Sequence, residues 1–111
     1  MTMDELAAAV GAKVLVRAAG TVEIAAVYAG DRISDLLDHA RANTLLVTNL
    51  AAVQLVRVAQ LMDVAGICLL NDIIPDSEMV RVASDHEIGV MVSPSGMFET
   101  CGRLHRVLER R

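Results

Sequence analysis

A chain of 111 residues has the length of one domain with a core of its own, and 54% of its residues are apolar. Charged residues interrupt every long apolar stretch, which excludes a membrane-spanning helix. Asp4 and Glu5 stand where a signal peptide would be basic, so we expect a cytoplasmic protein. The net charge of −4, with one Tyr, one Phe and no Trp, disfavours a nucleic-acid or membrane partner.

The first part of the chain predicts one helix and two strands. Residues 2–10 have a threonine cap, an acidic first turn and Gly11 at the end, which is typical of a short helix. Residues 13–18 are rich in Val and Leu, and residues 22–28 alternate loosely between two sets of residues, so both segments predict strands. Because only the turn at Ala19–Gly20 separates them, the short gap favours a hairpin.

The rest of the chain alternates between helices and strands. After Gly30–Asp31, helical spacing of apolar residues predicts a helix, and further helices are predicted over 51–63, from Pro75–Asp76 to about His86, and after Gly96. Short apolar runs predict strands over 44–48, 66–70 and 89–92. Strands that alternate with helices indicate βαβ crossovers. The sequence therefore predicts a single α/β domain over 1–111, with three α/β/α layers and a mostly parallel sheet of four to five strands.

The predicted helix over 51–63 has more apolar surface than one sheet can cover. Its polar positions are Gln54, Arg57, Gln60 and Asp63, and the others are apolar. A helix on a sheet needs an apolar stripe of only about 100°. The excess indicates a second apolar neighbour, which is either another helix or another subunit. We favour a homodimer, with an interface at Val53, Val56, Leu61 and Met62.

The motifs of common enzymes and cofactor sites do not occur in the sequence. It contains neither of the glycine-rich phosphate-binding patterns, G-x-x-x-x-G-K-[ST] and G-x-G-x-x-G. It also contains no H-E-x-x-H, no Cys/His spacing suited to zinc and no G-x-S-x-G. We therefore expect no catalytic residue, no metal and no cofactor. Cys68 and Cys101 fall in apolar patterns and are interpreted as reduced core residues. The three histidines fall on the solvent side or at the ends of predicted helices: His39, His86 and His105. The C-terminal basic run is typical of a solvated helix end: Arg103, Arg106, Arg110 and Arg111.

Small and polar residues follow each predicted parallel strand. In open α/β sheets, ligands bind outside the carboxyl ends of the strands, where helix N-termini favour anions. A crevice there would use Gly30, Asp31, Ser34, Thr48, Asn49, Asn71, Ser93 and Ser95. The competing interpretation is that these residues are ordinary helix caps, each stabilising a helix by about 1 kcal/mol. Tyr28 could stack on a base or belong to the core.

Residues 26–37, 44–70 and 75–105 together resemble the DRTGG domain, and most closely its small stand-alone members. The most specific pieces are Gly30–Asp31–x–x–Ser34–Asp35, Pro75–Asp76–x–Glu78 and Ser93–x–x–x–Met97–Phe98–Glu99–x–Cys101–Gly102–x–Leu104. The motif that names the family is not intact, since Thr48–Asn49–Leu50 and Leu70–Asn71–Asp72 stand at the corresponding places.

Related domains precede the catalytic part of HPr kinase/phosphorylases or lie between the CBS domains of regulated pyrophosphatases. The resemblance implies an α/β/α fold, a regulatory role and a tendency to dimerise, and it supplies no catalytic residue. We therefore expect a homodimeric module without catalytic activity that senses a nucleotide or small anion. The alternative is a protein-interaction subunit that docks on a larger metabolic enzyme through the helix at 51–63. A small enzyme is a third, disfavoured hypothesis.

Overall fold

The computed structural model describes residues 1–109, and its elements follow the predicted order. Arg110 and Arg111 of the basic run lie outside the described residues. The elements are α1 (Met3–Val10), β1 (Lys13–Val16), β2 (Ala26–Ala29), α2 (Ile33–His39), β3 (Thr44–Thr48), α3 (Val53–Met62), β4 (Gly66–Leu69), α4 (Ser77–Asp85), β5 (Val90–Val92) and α5 (Met97–Glu109).

The five strands form one sheet in the order β1-β5-β4-β3-β2. The pairs β2–β3, β3–β4 and β4–β5 are parallel, and β1 joins β5 antiparallel at one edge. Each crossover from β2 to β5 moves one position in the same direction. Because such crossovers share one hand, α2, α3 and α4 all lie on the same face of the sheet.

Both faces of the sheet are covered. Alternate strand residues such as Leu46, Ile67 and Val90 pack under α2, α3 and α4. Their neighbours, among them Leu45 and Cys68, pack against α1 and α5. Every residue of β3, β4 and β5 is buried, which is the pattern of parallel strands between two helical layers. The three-layer fold with a mostly parallel sheet is thereby confirmed.

The predicted hairpin of the first two strands is wrong, because β1 and β2 lie at opposite edges of the sheet. The second strand begins at Ala26 rather than at residue 22, since the preceding segment pairs with the N-terminus. The Ile24 N–H donates to the Met1 carbonyl at 2.7 Å, and the Met1 ammonium donates to the Ile24 carbonyl at 3.1 Å. Ile24 is fully buried in the layer of α1 and α5, which accounts for the apolar alternation that resembled a strand.

The apolar excess of α3 is explained by neighbouring helices. α3 packs against both α2 and α4, and Leu55, Val56, Val58 and Ala59 are buried. Val56 is fully buried within the chain, so the proposed contact of Val56 with a second copy is corrected to a core position. Val53 and Met62 are half-buried, whereas Leu61 is 75% exposed.

Within residues 1–109, no helix combines the length and the apolar content needed to cross a membrane.

The two positions Val56 and Leu61 test this assignment of α3. We expect Val56→Ala to lower the free energy of unfolding by about 2 kcal/mol, because it removes buried methyl groups and leaves a cavity. Leu61→Ala should change it by less than about 0.5 kcal/mol, because the side chain is exposed. Urea unfolding followed by circular dichroism measures both. Equal losses in the two variants would contradict the burial of Val56.

Candidate ligand site at the carboxyl ends of the parallel strands

Three polar side chains join the carboxyl ends of β2, β3 and β4. The Asp31 carboxylate accepts hydrogen bonds from the Thr48 hydroxyl at 3.0 Å, from the Asn49 backbone N–H at 2.7 Å and from the Asn49 side-chain amide at 3.1 Å. The Asn71 side-chain amide donates to the Asn49 Oδ1 at 3.0 Å. We call Asp31, Asn49 and Asn71 the polar line. All three residues are exposed, so their remaining hydrogen-bonding capacity faces solvent.

A tight turn after β4 connects the polar line to the loop after β5. Asn71 and Asp72 both have positive φ, at 59° and 53°, and the Ile73 N–H donates to the Leu70 carbonyl, as in a type I′ turn. The turn directs the Asn71 N–H to the Ser95 carbonyl at 3.0 Å and the Asp72 N–H to the Ser93 carbonyl at 2.9 Å. The ends of all four parallel strands are thus linked.

Buried hydroxyls hold the loop between β5 and α5. The Ser93 and Thr100 hydroxyl oxygens lie 2.8 Å apart, the Ser93 Oγ accepts the Ser95 N–H, and the Thr100 hydroxyl donates to the Ser95 carbonyl at 3.4 Å. Thr100 was not among the predicted site residues. Its position four residues before Leu104, on the buried stripe of α5, was the available signal.

The predicted ligand residues outside the polar line differ in their exposure to solvent. Thr48 and Ser93 are fully buried, so they position their neighbours and do not themselves reach a ligand. Gly30 and Ser95 are half-buried. Ser34 lies exposed in the first turn of α2, outside the hydrogen bonds described above.

The alternative that these residues are ordinary helix caps does not hold for α2 and α3. The N-cap positions of these helices are Arg32 and Ala52, and neither makes a side-chain cap hydrogen bond. By contrast, the Asp76 carboxylate caps α4 by accepting the Met79 N–H at 2.8 Å. Asp31 and Asn49 therefore bond across neighbouring strands, and the first N–H groups of α3 are left without a side-chain acceptor from the N-cap.

The polar line is electrostatically negative at one end. The backbone N–H of Asn49 is the largest cause that lowers the pKa of Asp31, and the Asn49 and Thr48 side chains lower it further against the opposing effect of burial. Asp31 is therefore a carboxylate that accepts hydrogen bonds, while the amides of Asn49 and Asn71 can both donate and accept. This combination suits hydroxyl and amino groups, and an anion would be favoured at a helix N-terminus instead.

Tyr28 and the two cysteines do not add a reactive group. The Tyr28 ring is half-buried and stacks on His39 with 4.3 Å between ring centroids, so His39 already covers one face of the ring. Burial raises the pKa of the Cys68 thiol to about 12 and also raises that of Cys101. Both cysteines are free, and residues 1–109 hold no cluster of His, Cys, Asp and Glu suited to a metal ion.

Comparison with known proteins shows similarity in fold. No family model matches the chain, and no curated protein matches it. One solved structure with this fold contains the CBS and DRTGG domains of the regulatory region of Clostridium perfringens pyrophosphatase, complexed with the activator diadenosine tetraphosphate. The TM-score is 0.75 at 12% sequence identity, and the match covers 93% of this chain. This chain spans 45% of that longer chain, and the similarity supports a DRTGG-like fold.

The Asp31 carboxylate has a pH-dependent stabilising effect. Because its pKa is lowered in the folded state, its contribution is present above its unfolded pKa of about 3.9 and is lost as the pH falls through the lower folded value. We expect Asp31→Asn to cost about 1 kcal/mol of unfolding free energy at pH 7, and the difference from the parent chain to narrow below about pH 4.

The control for this experiment is Asp38→Asn, which removes an exposed carboxylate of α2 outside the polar line and should change stability by less than about 0.5 kcal/mol. Chemical unfolding at a series of pH values measures both variants. A pH-independent effect of Asp31→Asn would contradict the role of the charge.

Two substitutions of Asn71 distinguish the effect of its side-chain hydrogen bond from the effect of its positive φ. Asn71→Gly and Asn71→Ala both remove the hydrogen bond to Asn49, but the alanine variant keeps a Cβ in the left-handed region, which glycine occupies without a steric cost. We expect the alanine variant to be less stable than the glycine variant by about 1 kcal/mol in urea unfolding. An alanine variant as stable as the glycine variant would show that the turn is not held in this conformation.

Proposed function

We propose that the chain is a non-catalytic regulatory module that binds a nucleotide or a small anion at the carboxyl edge of its parallel strands. The observation that carries the proposal is the polar line of Asp31, Asn49 and Asn71, which joins neighbouring strands and leaves its side chains exposed. The similarity in fold to a regulatory region complexed with a nucleotide activator supports it. We treat residues 1–111 as one DRTGG-like domain of a cytoplasmic protein.

The polar line suits ligand binding because its side chains are already held in place. Asn49 is fixed by Asp31 on one side and by Asn71 on the other, so little conformational entropy would be lost when a ligand binds. The ribose and base of a nucleotide offer hydroxyl and amino groups that match these acceptors and donors. The N-terminus of α3, which has no side-chain cap, would receive the phosphate or another anion.

Two exposed apolar residues follow the strand ends in the chain. Phe98 is 95% exposed in the first turn of α5, three residues after Ser95, and Ile74 is 90% exposed, three residues after Asn71. Small-molecule sites are usually lined by apolar and aromatic side chains together with a few polar groups, and we propose that these two residues contribute to the site. A base that stacks on Phe98 would account for its exposure.

A regulatory role is favoured over catalysis by the state of the side chains. The raised pKa values of Cys68 and Cys101 keep both thiols protonated and poorly nucleophilic at neutral pH, and the lowered pKa of Asp31 makes it a weak base.

We propose that the module is a homodimer.

Docking on a larger metabolic enzyme through α3 is the second candidate function. The exposed side chain of Leu61 favours it, although most of the apolar face of α3 is buried against α2, α4 and the sheet.

Thermal unfolding with added ligands tests the proposed function. Diadenosine tetraphosphate, ATP and inorganic phosphate are added separately to the full chain. A ligand present at 100 times its Kd stabilises the folded state by about 2.7 kcal/mol, which raises the Tm by about 10 °C. We expect at least one of the two nucleotides to do so, and Asn49→Ala to remove most of the shift.

The control variant is Gln60→Ala, which shortens an exposed amide near the other end of α3 and should keep the full shift. Absence of a shift with every probe would contradict nucleotide or anion binding. An equal shift in Asn49→Ala would place the binding site elsewhere.

A further inference from the structure

A cavity of about 350 Å³ lies at the amino ends of β3, β4 and β5, at the other end of the sheet from the polar line. Its lining includes Asn43, Ala65 and Ile88, which come just before these three strands, and Ala18, which follows β1. Small-molecule sites in proteins usually have volumes of about 300–1,000 Å³. The fold therefore leaves room for a small ligand at an end of the sheet where the sequence predicted none.

The cavity combines an apolar floor with two carboxylates. Ala59, Ala65 and Ile88 are buried, whereas Asp63 and Glu87 are exposed at the rim. Within residues 1–109, no lysine or arginine lines the cavity. A small molecule with an apolar part and a positive charge would match this lining.

Both carboxylates stand where the folded chain alone gains nothing from an acidic side chain. Asp63 is the C-cap of α3, and Glu87 follows His86, the C-cap of α4. The C-terminal end of a helix carries partial negative charge and favours basic side chains, yet neither helix has one in its last turn. Asp63 and Glu87 also have positive φ, at 54° and 56°, which glycine adopts more readily. Local stability therefore does not explain the acidic residues at these two positions.

The charges of the two carboxylates are not balanced within the described chain. Among residues 1–109, neither Asp63 nor Glu87 takes part in an ion pair or a side-chain hydrogen bond. Between them, the Gln60 amide nitrogen donates to the His86 Nδ1 at 3.3 Å, so the Gln60 Oε1 remains as a further acceptor. The rim thus offers acceptors and negative charge without a cation of its own.

We propose that this cavity binds a small organic amine. Its ammonium group pairs with Asp63 and Glu87, and its aliphatic chain lies on the apolar floor. An ammonium donates three hydrogen bonds, which the two carboxylates and the Gln60 Oε1 accept. The bound charge offsets the repulsion between the carboxylates and the negative ends of α3 and α4. The site shares no residue with the polar line, so it is separate from the proposed nucleotide site.

Titration of the ¹⁵N-labelled full chain with putrescine, followed by NMR at about pH 8 where imidazole is neutral, tests the proposal. We expect saturable shifts centred on the backbone amides of residues 63–65 and 86–88. 1,4-Butanediol has the same four-carbon chain without the charges and should cause none. Asp63→Asn and Glu87→Gln should each raise the Kd for putrescine about threefold or more, because each removes one of the two ion pairs.

The matched control is Glu78→Gln, which removes the same charge at the other end of α4 and should leave the Kd unchanged. Without ligand, Asp63→Asn should not lower the Tm, because asparagine suits the positive φ and brings no negative charge to the end of α3. A lower Tm would mean that the carboxylate serves the fold, which would overturn the proposal.

Three further results would overturn it. They are the absence of saturable shifts at these amides, equal shifts with butanediol, and a Kd that neither Asp63→Asn nor Glu87→Gln changes. Tighter binding of Nα-acetyl-lysine amide than of putrescine would assign the cavity to a lysine side chain of a partner protein and overturn the assignment to a free amine. None of these results affects the nucleotide-dependent Tm shift, so the two proposals fail separately.

Discussion

The central strands of this protein are buried on both faces, and most other features follow from that burial. Every residue of β3, β4 and β5 is buried, and alternate side chains of these strands pack in two separate apolar layers, one on each face of the sheet. Burial of this surface is the main favourable contribution to folding, at about 25 cal/mol per Å². The burial of both faces requires helices on each side of the sheet. Parallel pairing in turn requires a long crossover connection between successive strands, and here α2, α3 and α4 provide it.

This architecture places the polar residues that follow the parallel strands at one edge. Each parallel strand ends there, and the chain must turn outward to begin the next helix. Backbone groups at these turns need partners, which Asp31, Asn49 and Asn71 supply for one another and for the neighbouring loops. The interactions that stabilise the turns are also those that hold exposed amides in fixed positions, so the fold and the proposed site share the same hydrogen bonds.

The sequence predicts those features that depend on local periodicity. The order of the ten elements, the mostly parallel sheet and the cap at Thr2 follow from apolar spacing and cap residues. The pairing of β1 with β5 does not, because it depends on contacts between the two ends of the chain. The buried face of α3 shows the same limit, since a surplus of apolar residues does not reveal whether α2 and α4 or another subunit will cover it. The polar line was predicted as a set of residues, but its internal bonds and the part of Thr100 require three-dimensional distances.

The N-terminal pairing described above also brings the two ends of the described chain together. Met1 is bonded to Ile24, and Glu109 lines the same groove as Ala25. A domain whose termini lie close together tolerates circular permutation or insertion into another polypeptide without disruption of its core. A polypeptide joined to either end would therefore begin close to the segment that precedes β2.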